Sequence, residues 1–483
     1  MSDIGEQNWV PVVSAYATWL AFVLSIAVAV AVVQFHVALP TGGLVRVDGL
    51  TLVMWCAVTF FSGIVQSFAR RYMAASRNLN RFFVDVALFT LAVLTMPAAD
   101  NLVLFLFAWT GMGLVMADLI GYVSEWDEAR AAGRLSRRYF LSGSALLTAG
   151  VGLLVLRTGA TTITGILDGL GSVSRPITLI AAGLIVFAAL VQSALLPFHR
   201  WLLSSMTAPT PSSALMHAGF VNAGGVLLTR FAPLFVPERG LLLAIVVVGA
   251  VSALLAQAML LVQPTYKGRL GCSTVAQMGF MILQCGLGFF AAAVTHLVVH
   301  GFYKAYLFLS TGGQVTKKPP STGTHESSPL PVVGALVAAA IGGVVFATLT
   351  GKGLDPTETG VFLTAVVTLS VFRAAVELLR NRSLSRVARL AGVAVTTIPA
   401  LAVYALVYNA ISGLMHDVPA VHTPVAMTPV HWVLLVLFVV GHVAVQLGWF
   451  QGRPRVYATL LNAAQPDPRT VSTTHASGSR ADP

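Results

Sequence analysis

Three titratable side chains recur at four-residue spacing in the stretch AAAVTHLVVHGFYKAYLFLS: His296, His300 and Lys304. A helix advances about 100° and about 1.5 Å per residue, so this spacing stacks all three on one face over about 12 Å of rise. The residues around them are fit for hydrocarbon. A lysine there costs about 2.5–3.5 kcal/mol on insertion scales, so such groups usually face a bundle interior or a water path. Imidazoles titrate near neutrality, and two of them in line with an amine fit a relay of protons. The same three groups also fit hydrogen bonding across a packed helix interface. A zinc or haem site is the remaining chemistry, because His296 and His300 are suitably spaced. Lys304 one turn on would repel a cation, however, and no acidic or cysteine ligand lies nearby in sequence. No metal or cofactor is therefore expected in this chain.

Other polar groups interrupt apolar runs. His217 stands in ALMHAGFVNAGG, where a lone histidine on a small-residue helix reads more readily as an interface hydrogen-bonder than as a proton carrier. Pro197 falls inside the apolar stretch QSALLPFHRWLL and removes a helix hydrogen bond in mid-span, with Pro209 and Pro211 close behind. Broken helices at membrane depth persist only where protein or water satisfies the freed carbonyls, so they mark candidate ion pathways. A plain proline kink is the other reading. Lys352 sits in GVVFATLTGKGLDPTETG, either at a second break or in a surface loop.

The elements that must position these groups are membrane helices. Of 483 residues, 56% are hydrophobic and 10% charged, against about 25% charged in ordinary soluble domains. Apolar runs of spanning length predict an all-α, polytopic bundle of about 13–14 helices with discontinuous members. They lie near 11–39, 48–69, 81–97, 100–122, 138–157, 176–206, 210–232, 239–263, 270–288, 290–314, 331–350, 358–378, 388–413 and 428–450. Residues 1–450 then form one integral membrane domain, and 451–483 a cytoplasmic, disordered tail. No cleavable signal peptide is evident at the first apolar run.

The net charge of +11 is a topology signal rather than a nucleic-acid patch. Arg70, Arg71, Arg77 and Arg81 follow the second segment; Arg130, Arg134, Arg137 and Arg138 follow the fourth. Lys267 and Arg269, Lys317 and Lys318, then Arg380, Arg382 and Arg386 continue in alternate loops. This positive-inside pattern puts both termini in the cytoplasm, in keeping with a multi-pass protein of a bacterial inner membrane. Cys56, Cys272 and Cys285 form no CxxC pair, so neither a disulfide framework nor a cysteine zinc site is indicated.

QSALLPFHRWLLSSMTAPTPSSALMHAG, followed by the His296/His300/Lys304 stretch, resembles the antiporter-type membrane subunits of respiratory complex I and Mrp antiporters. VDGLTLVM near Asp48, FAWTGMGLVMADLIGY near Trp109 and KGRLGCSTVAQMGF from Lys267 are similar to that family too, over residues 45–380 or so. The MTAPTPSSALMHAGFVNAGG run and the short length narrow the resemblance to the membrane subunits of DAB inorganic-carbon accumulation complexes. The resemblance implies a proton-conducting set of Lys267, His217, His296, His300, Lys304 and Lys352. It also implies departures. Thr110 stands where the family carries a Glu and Gln192 where it carries a Lys, so one of two routes has lost its titratable steps. Asp85 and Asp118 occupy positions that are usually apolar, as substitute carriers or as structural partners.

By the same resemblance, this chain is not itself an enzyme. It would pass H+, or Na+, down a gradient and so drive CO2 hydration in a soluble partner of the DabA type, a zinc protein resembling carbonic anhydrase. A subunit of a Mrp-type antiporter or of a complex I or hydrogenase assembly is the alternative.

Overall fold

The computed structural model describes residues 9–37, 39–311, 330–353, 355–381, 385–421, 423, 425–446 and 453–471. Lys317, Lys318 and Arg382 of the topology argument lie outside these described residues, as does the last part of the tail, 472–483.

Helices dominate the described residues. In chain order they are α1 (Trp9–Phe35), α2 (Gly49–Tyr72), α3 (Leu79–Ala98), α4 (Leu102–Ile120), α5 (Asp127–Thr158), α6 (Ile163–Asp168) and α7 (Arg175–Gln192). Then come α8 (Arg200–Ser204), α9 (Thr210–Ala218), α10 (Ala223–Arg230), α11 (Ala232–Phe235), α12 (Arg239–Val262), α13 (Tyr266–Gly286) and α14 (Phe290–Leu309). The last are α15 (Leu330–Thr350), α16 (Gly360–Leu379), α17 (Arg386–Leu414), α18 (Pro429–Gln446) and α19 (Pro454–Ala463). A two-residue hairpin, Thr41–Gly42 with Val45–Arg46, links α1 to α2.

Ten of the described helices are long and apolar enough to cross a membrane: α1 to α5, α7, α12 and α15 to α17. This is a multi-pass membrane protein. α13 and α14 fall outside that set because polar and titratable residues dilute them, yet they are among the most enclosed. Hydrocarbon cannot solvate an amine, so the fold wraps the polar helices in apolar ones. α14 packs against α2, α9, α10, α13 and α17. It buries Leu297, His300, Gly301, Lys304 and Phe308 and leaves Val299, Phe302, Tyr303 and Tyr306 outward.

One apolar core runs from Leu50 to Val421. Into it intrudes a buried ion cluster. Asp48 caps the start of α2 by accepting from Thr51 N–H at 3.1 Å, and its carboxylate pairs with Arg230 of α10 and with Arg46 at 3.2 Å. Arg230 also donates to the Pro97 carbonyl. The cluster ties α2, α3 and α10 at one level.

Three expectations about interruptions are corrected. Pro197 does not break a helix in mid-span: α7 stops at Gln192, and the proline lies in a non-helical connection before α8. Trp201 Nε1 donates to the carbonyl of Val191 (3.0 Å) in the last turn of α7. Pro209 and Pro211 start α9 rather than disrupt it, as its N-cap and within its first turn, where a missing N–H costs nothing. The discontinuity inside a span comes after them, at Gly219–Asn222 between α9 and α10. The Gly-rich stretch at 351–359 is not a break either. It joins α15 to α16, which pack on each other as a hairpin.

The expected disordered tail is also corrected. Residues 453–471 are ordered as α19 and a short 3-10 turn at Pro468–Thr470. Leu460, Ala463 and Ala464 pack against Leu203, Met259 and Cys272. His199 Nε2 meets the Ala463 carbonyl at 3.0 Å, and Ser204 Oγ accepts from Asp467 N–H at 3.0 Å. A short apolar stripe within a polar stretch was enough to dock it.

Candidate functional site

The site is built by the α13–α14 hairpin. Its turn is Leu287–Phe289, and Gly288 adopts φ +84° with the Thr423 carbonyl 2.1 Å from where a Cβ would stand. Only glycine fits there. The tight turn sets the two helices antiparallel, so Lys267 at the start of α13 lies toward the Lys304 end of α14. Gly301 lets α9 approach: a Cβ at that position would stand 3.0 Å from the Ala218 carbonyl.

Lys304 is fully buried and donates to the Leu270 carbonyl at 3.0 Å. Thr274 Oγ1 donates to that same carbonyl at 3.0 Å and lies 2.9 Å from His217 Nδ1. The hydroxyl has one proton, which goes to Leu270, so the Thr274 oxygen must accept from His217 Nδ1–H. The neutral His217 ring then carries its lone pair on Nε2, which is buried without a partner. His217 stacks on Phe308 at 4.3 Å, which fixes the plane of the ring. Half-buried Lys267 donates to the carbonyls of Met206 and Ala208, each at 3.3 Å, in the linker between α8 and α9.

His296 and His300 stack at 5.8 Å between ring centroids, with planes 15° apart. Both nitrogens of His300 and Nε2 of His296 are buried without hydrogen-bond partners. These nitrogens therefore make no interface hydrogen bonds among the described residues, and an unsatisfied buried polar group costs about 1–3 kcal/mol. Two imidazolium charges at this separation would repel by about 3 kcal/mol at an effective dielectric of about 20. Simultaneous protonation of both rings is therefore disfavoured.

Lys352, expected at a break or in a surface loop, lies in the connection after α15 but is buried. It is 4% exposed, and its Nζ sits 3.3 Å from the centre of the Tyr408 ring, with Phe289 and Phe346 at 5.6 and 5.7 Å. Thr359 anchors its loop, donating from Oγ1 to the Leu287 carbonyl (2.9 Å) and from N–H to Val425 (3.0 Å). Lys352 thus adjoins the start of α14, the end away from Lys267. From it Tyr408 stacks on Tyr404, which lies beside Gln284 of α13. One turn from Gln284, Phe280 meets His296 edge-on at 5.4 Å.

Asp85 and Asp118 do not join this line. Asp85 lies in the second turn of α3 beside Arg81 (3.7 Å), and Asp118 in the last turn of α4 pairs with Arg137 of α5. Both sit near helix ends next to basic connections, which corrects the expectation of carboxylates at membrane depth. Gln192 has a different task as well. Its Nε2 donates to the Phe220 carbonyl (3.4 Å) and Ser193 Oγ to that of Val221 (2.9 Å), both within the α9–α10 discontinuity. Among the described residues, no group of three His, Cys, Asp or Glu side chains could hold a metal ion.

Thr274, Gln284, Tyr404 and Tyr408 were not foreseen as part of the site. Thr274 follows Lys267 by seven residues, two turns of α13, and Tyr404 and Tyr408 are one turn apart. These were the available signals.

Residues 99–351, more than half of the chain, match the family model described as NADH:quinone oxidoreductase/Mrp antiporter, TM. The chain belongs to this family of membrane subunits. Residues 43–83 match a second family model, the N-terminus of complex I chain 5. Among curated relatives, the chain is 39% identical over 280 residues to "Probable inorganic carbon transporter subunit DabB1" of Halothiobacillus neapolitanus, covering 56% of this chain and 50% of that one. It is 36% identical over 308 residues to "Probable inorganic carbon transporter subunit DabB" of Bacillus subtilis, covering 62% and 60%. NADH-quinone oxidoreductase subunit L of Mycobacterium tuberculosis is 33% identical over 293 residues, covering 58% and 46%. The chain therefore spans about half the length of the curated relatives it matches. Among solved structures, a Mrp complex from Dietzia sp. aligns with TM-score 0.58 at 22% identity, over 95% of this chain and 51% of that one. The archaeal membrane-bound sulfane sulfur reductase aligns with TM-score 0.59 at 17% identity, over 95% of both chains. These two likenesses establish the antiporter-like fold.

Proposed function

We propose that this chain is the ion-conducting membrane subunit of an inorganic-carbon accumulation complex, that the ion is H+ rather than Na+, and that Lys267, Lys304, His300 and His296 carry it. His217 sets the branch at the Lys304 end, and Lys352 guards the opposite mouth. The observation that carries the reading is the run of buried, unpartnered imidazole nitrogens on α14, in line with a buried amine. Such groups are costly in a dry core unless they act. The inorganic-carbon assignment is supported by the names of the relatives at 36–39% identity.

In this reading the chain lies in a bacterial inner membrane with both termini cytoplasmic. A soluble DabA-type zinc partner on the cytoplasmic face hydrates CO2, and the chain itself is no enzyme. One charge crossing about 100 mV supplies about 2.3 kcal/mol, more than a tenfold bias toward bicarbonate per ion.

The test is growth in ambient air of a carbonic-anhydrase-deficient strain carrying this chain with its neighbouring partner gene. Rescue is expected, abolished by an uncoupler and by His300→Ala or Lys304→Met in complexes that still assemble. Full rescue by assembled His300→Ala and Lys304→Met variants would refute the route. Co-purification with small antiporter subunits instead of a zinc protein would refute the carbon assignment.

A further inference from the structure

At the end of the bundle away from Lys267, the start of α12, the end of α13 and the segment before α18 enclose a cavity of about 140 Å³. Arg239, Gly286, Thr428 and His431 are among its lining residues, and none of the lining residues is acidic. Two independent features give it a chemical preference.

The first is His431, which is 2% exposed. The backbone N–H of Thr428 donates to its Nδ1 at 3.0 Å, so Nδ1 is an acceptor and the neutral ring carries its proton on Nε2. That Nε2–H is a donor, buried and without a partner. The second is Arg239, the first residue of the 24-residue helix α12, whose N-terminal end is the positive end of the helix dipole. The neighbouring carboxylate, Glu238, does not neutralise it. Glu238 is held by Arg175, through Nε at 3.1 Å and Nη2 at 3.0 Å, and that hydrogen bonding keeps its carboxyl below the usual range. Arg239 itself makes no ion pair among the described residues. A cation, a helix N-terminus and an orphan N–H donor around one small cavity lack only an acceptor.

We propose that this cavity binds a small inorganic anion, held between the Arg239 guanidinium and His431 Nε2–H. The space suits an ion of the size of a halide or a small oxyanion and excludes a nucleotide or a sugar acid. Its position beside the α13–α14 turn puts the bound charge at the same end of the bundle as Lys352, separate from the histidine line.

The full chain, purified with the subunits that accompany it, tests this by thermal unfolding. Sodium bicarbonate and sodium chloride are titrated separately against sodium gluconate at constant ionic strength. A saturable rise in the midpoint is expected for at least one of the two small anions. Arg239→Gln, a change at an exposed position, is expected to raise the half-saturating concentration at least tenfold, and His431→Phe to do the same. No saturable response to either anion would overturn the proposal. So would an Arg239→Gln variant with the parent's half-saturation, whatever becomes of His431→Phe.

Discussion

Thr274→Val is the sharpest perturbation of the Lys304 node. Valine matches threonine in shape and removes a single oxygen. That oxygen accepts from His217 Nδ1 at 2.9 Å and donates to the Leu270 carbonyl at 3.0 Å, the carbonyl that also receives Lys304. Without it, His217 keeps a buried N–H with nothing to accept it and is free to flip or change tautomer. An unsatisfied group of this kind costs about 1–3 kcal/mol. At about 1.4 kcal/mol per decade, the competent ring orientation falls roughly five- to 150-fold. Conduction through the node is therefore expected to fall by about fivefold or more. Thr274→Ser, which restores the hydroxyl, should stay within about threefold of the parent. The assay is proton influx into proteoliposomes holding the chain and its copurifying subunits, driven by a valinomycin-imposed potassium potential and read with a trapped pH dye. If Thr274→Val conducts as fast as Thr274→Ser, His217 is not set by this hydrogen bond and the node is misassigned.

Three further outcomes follow from other parts of the fold. Asp48→Asn removes the charge that faces Arg230 and Arg46, and stranding a buried arginine costs about 3–5 kcal/mol; a clear drop in thermal midpoint in detergent is expected, and an unchanged midpoint would deny the cluster its structural role. Gly279→Val forces a Cβ to within 2.6 Å of Ala253 N and 2.7 Å of the Gly249 carbonyl. Backbone cannot yield as a side chain does, so α12 and α13 should separate at a cost of about 3 kcal/mol, visible as loss of monodisperse protein in size-exclusion chromatography. His199 is held below its ordinary value of 6.5 by burial first, with Arg200 adding to the effect against the hydrogen bond to Ala463. A group with a depressed folded value contributes stability above its unfolded value and loses it as pH falls. The docking of residues 454–471 should therefore be firm above about pH 6.5 and loosen below it. Hydrogen exchange across that segment reads this directly, and equal protection at pH 7.5 and pH 5 would contradict it.

The histidine line was legible because His296, His300 and Lys304 share one helix, where four-residue spacing fixes the face regardless of packing. What the line touches was not, because Leu270 and Thr274 arrive across a hairpin and His217 comes from α9. Lys352 shows the same limit. Its local sequence reads as a glycine-rich loop, and only Tyr408, from the distant α17, encloses it. Asp118 looked intramembrane for want of a visible partner, since Arg137 belongs to the next helix. Asp85 was different: Arg81, four residues earlier, was already the signal for an ion pair near a helix end. At Pro197 the chemistry of proline correctly announced an interruption, but the helix ends at Gln192, where Trp201 donates to the Val191 carbonyl. The tail was missed because polar residues after 464 masked the apolar stripe of α19.

The position of Gln192 bears on how charge moves through the whole bundle. Within the α9–α10 discontinuity the carbonyls of Phe220 and Val221 accept from the neutral donors Gln192 and Ser193. An ammonium at 192 would satisfy the same carbonyl but add a fixed charge among the apolar walls of α7 and α10. Glutamine keeps the break and discards the charge, so the interruption serves to shape the bundle and takes no part in titration. In the proposed route, mobile charge would then be confined to the α13–α14 side. His296 to Lys304 covers only about 12 Å of a hydrocarbon core of about 30 Å. The remainder must be bridged at the two ends: at one by Lys267 over the Met206 and Ala208 carbonyls, at the other by Lys352 over Tyr408. Both end groups are lysines, and a protonated lysine at either mouth repels a charge on the histidines between. In the proposed route a proton would enter the line only when the nearer lysine gives its own up. The two amines would then act as gates, with the four-residue histidine spacing setting the length of the path between them.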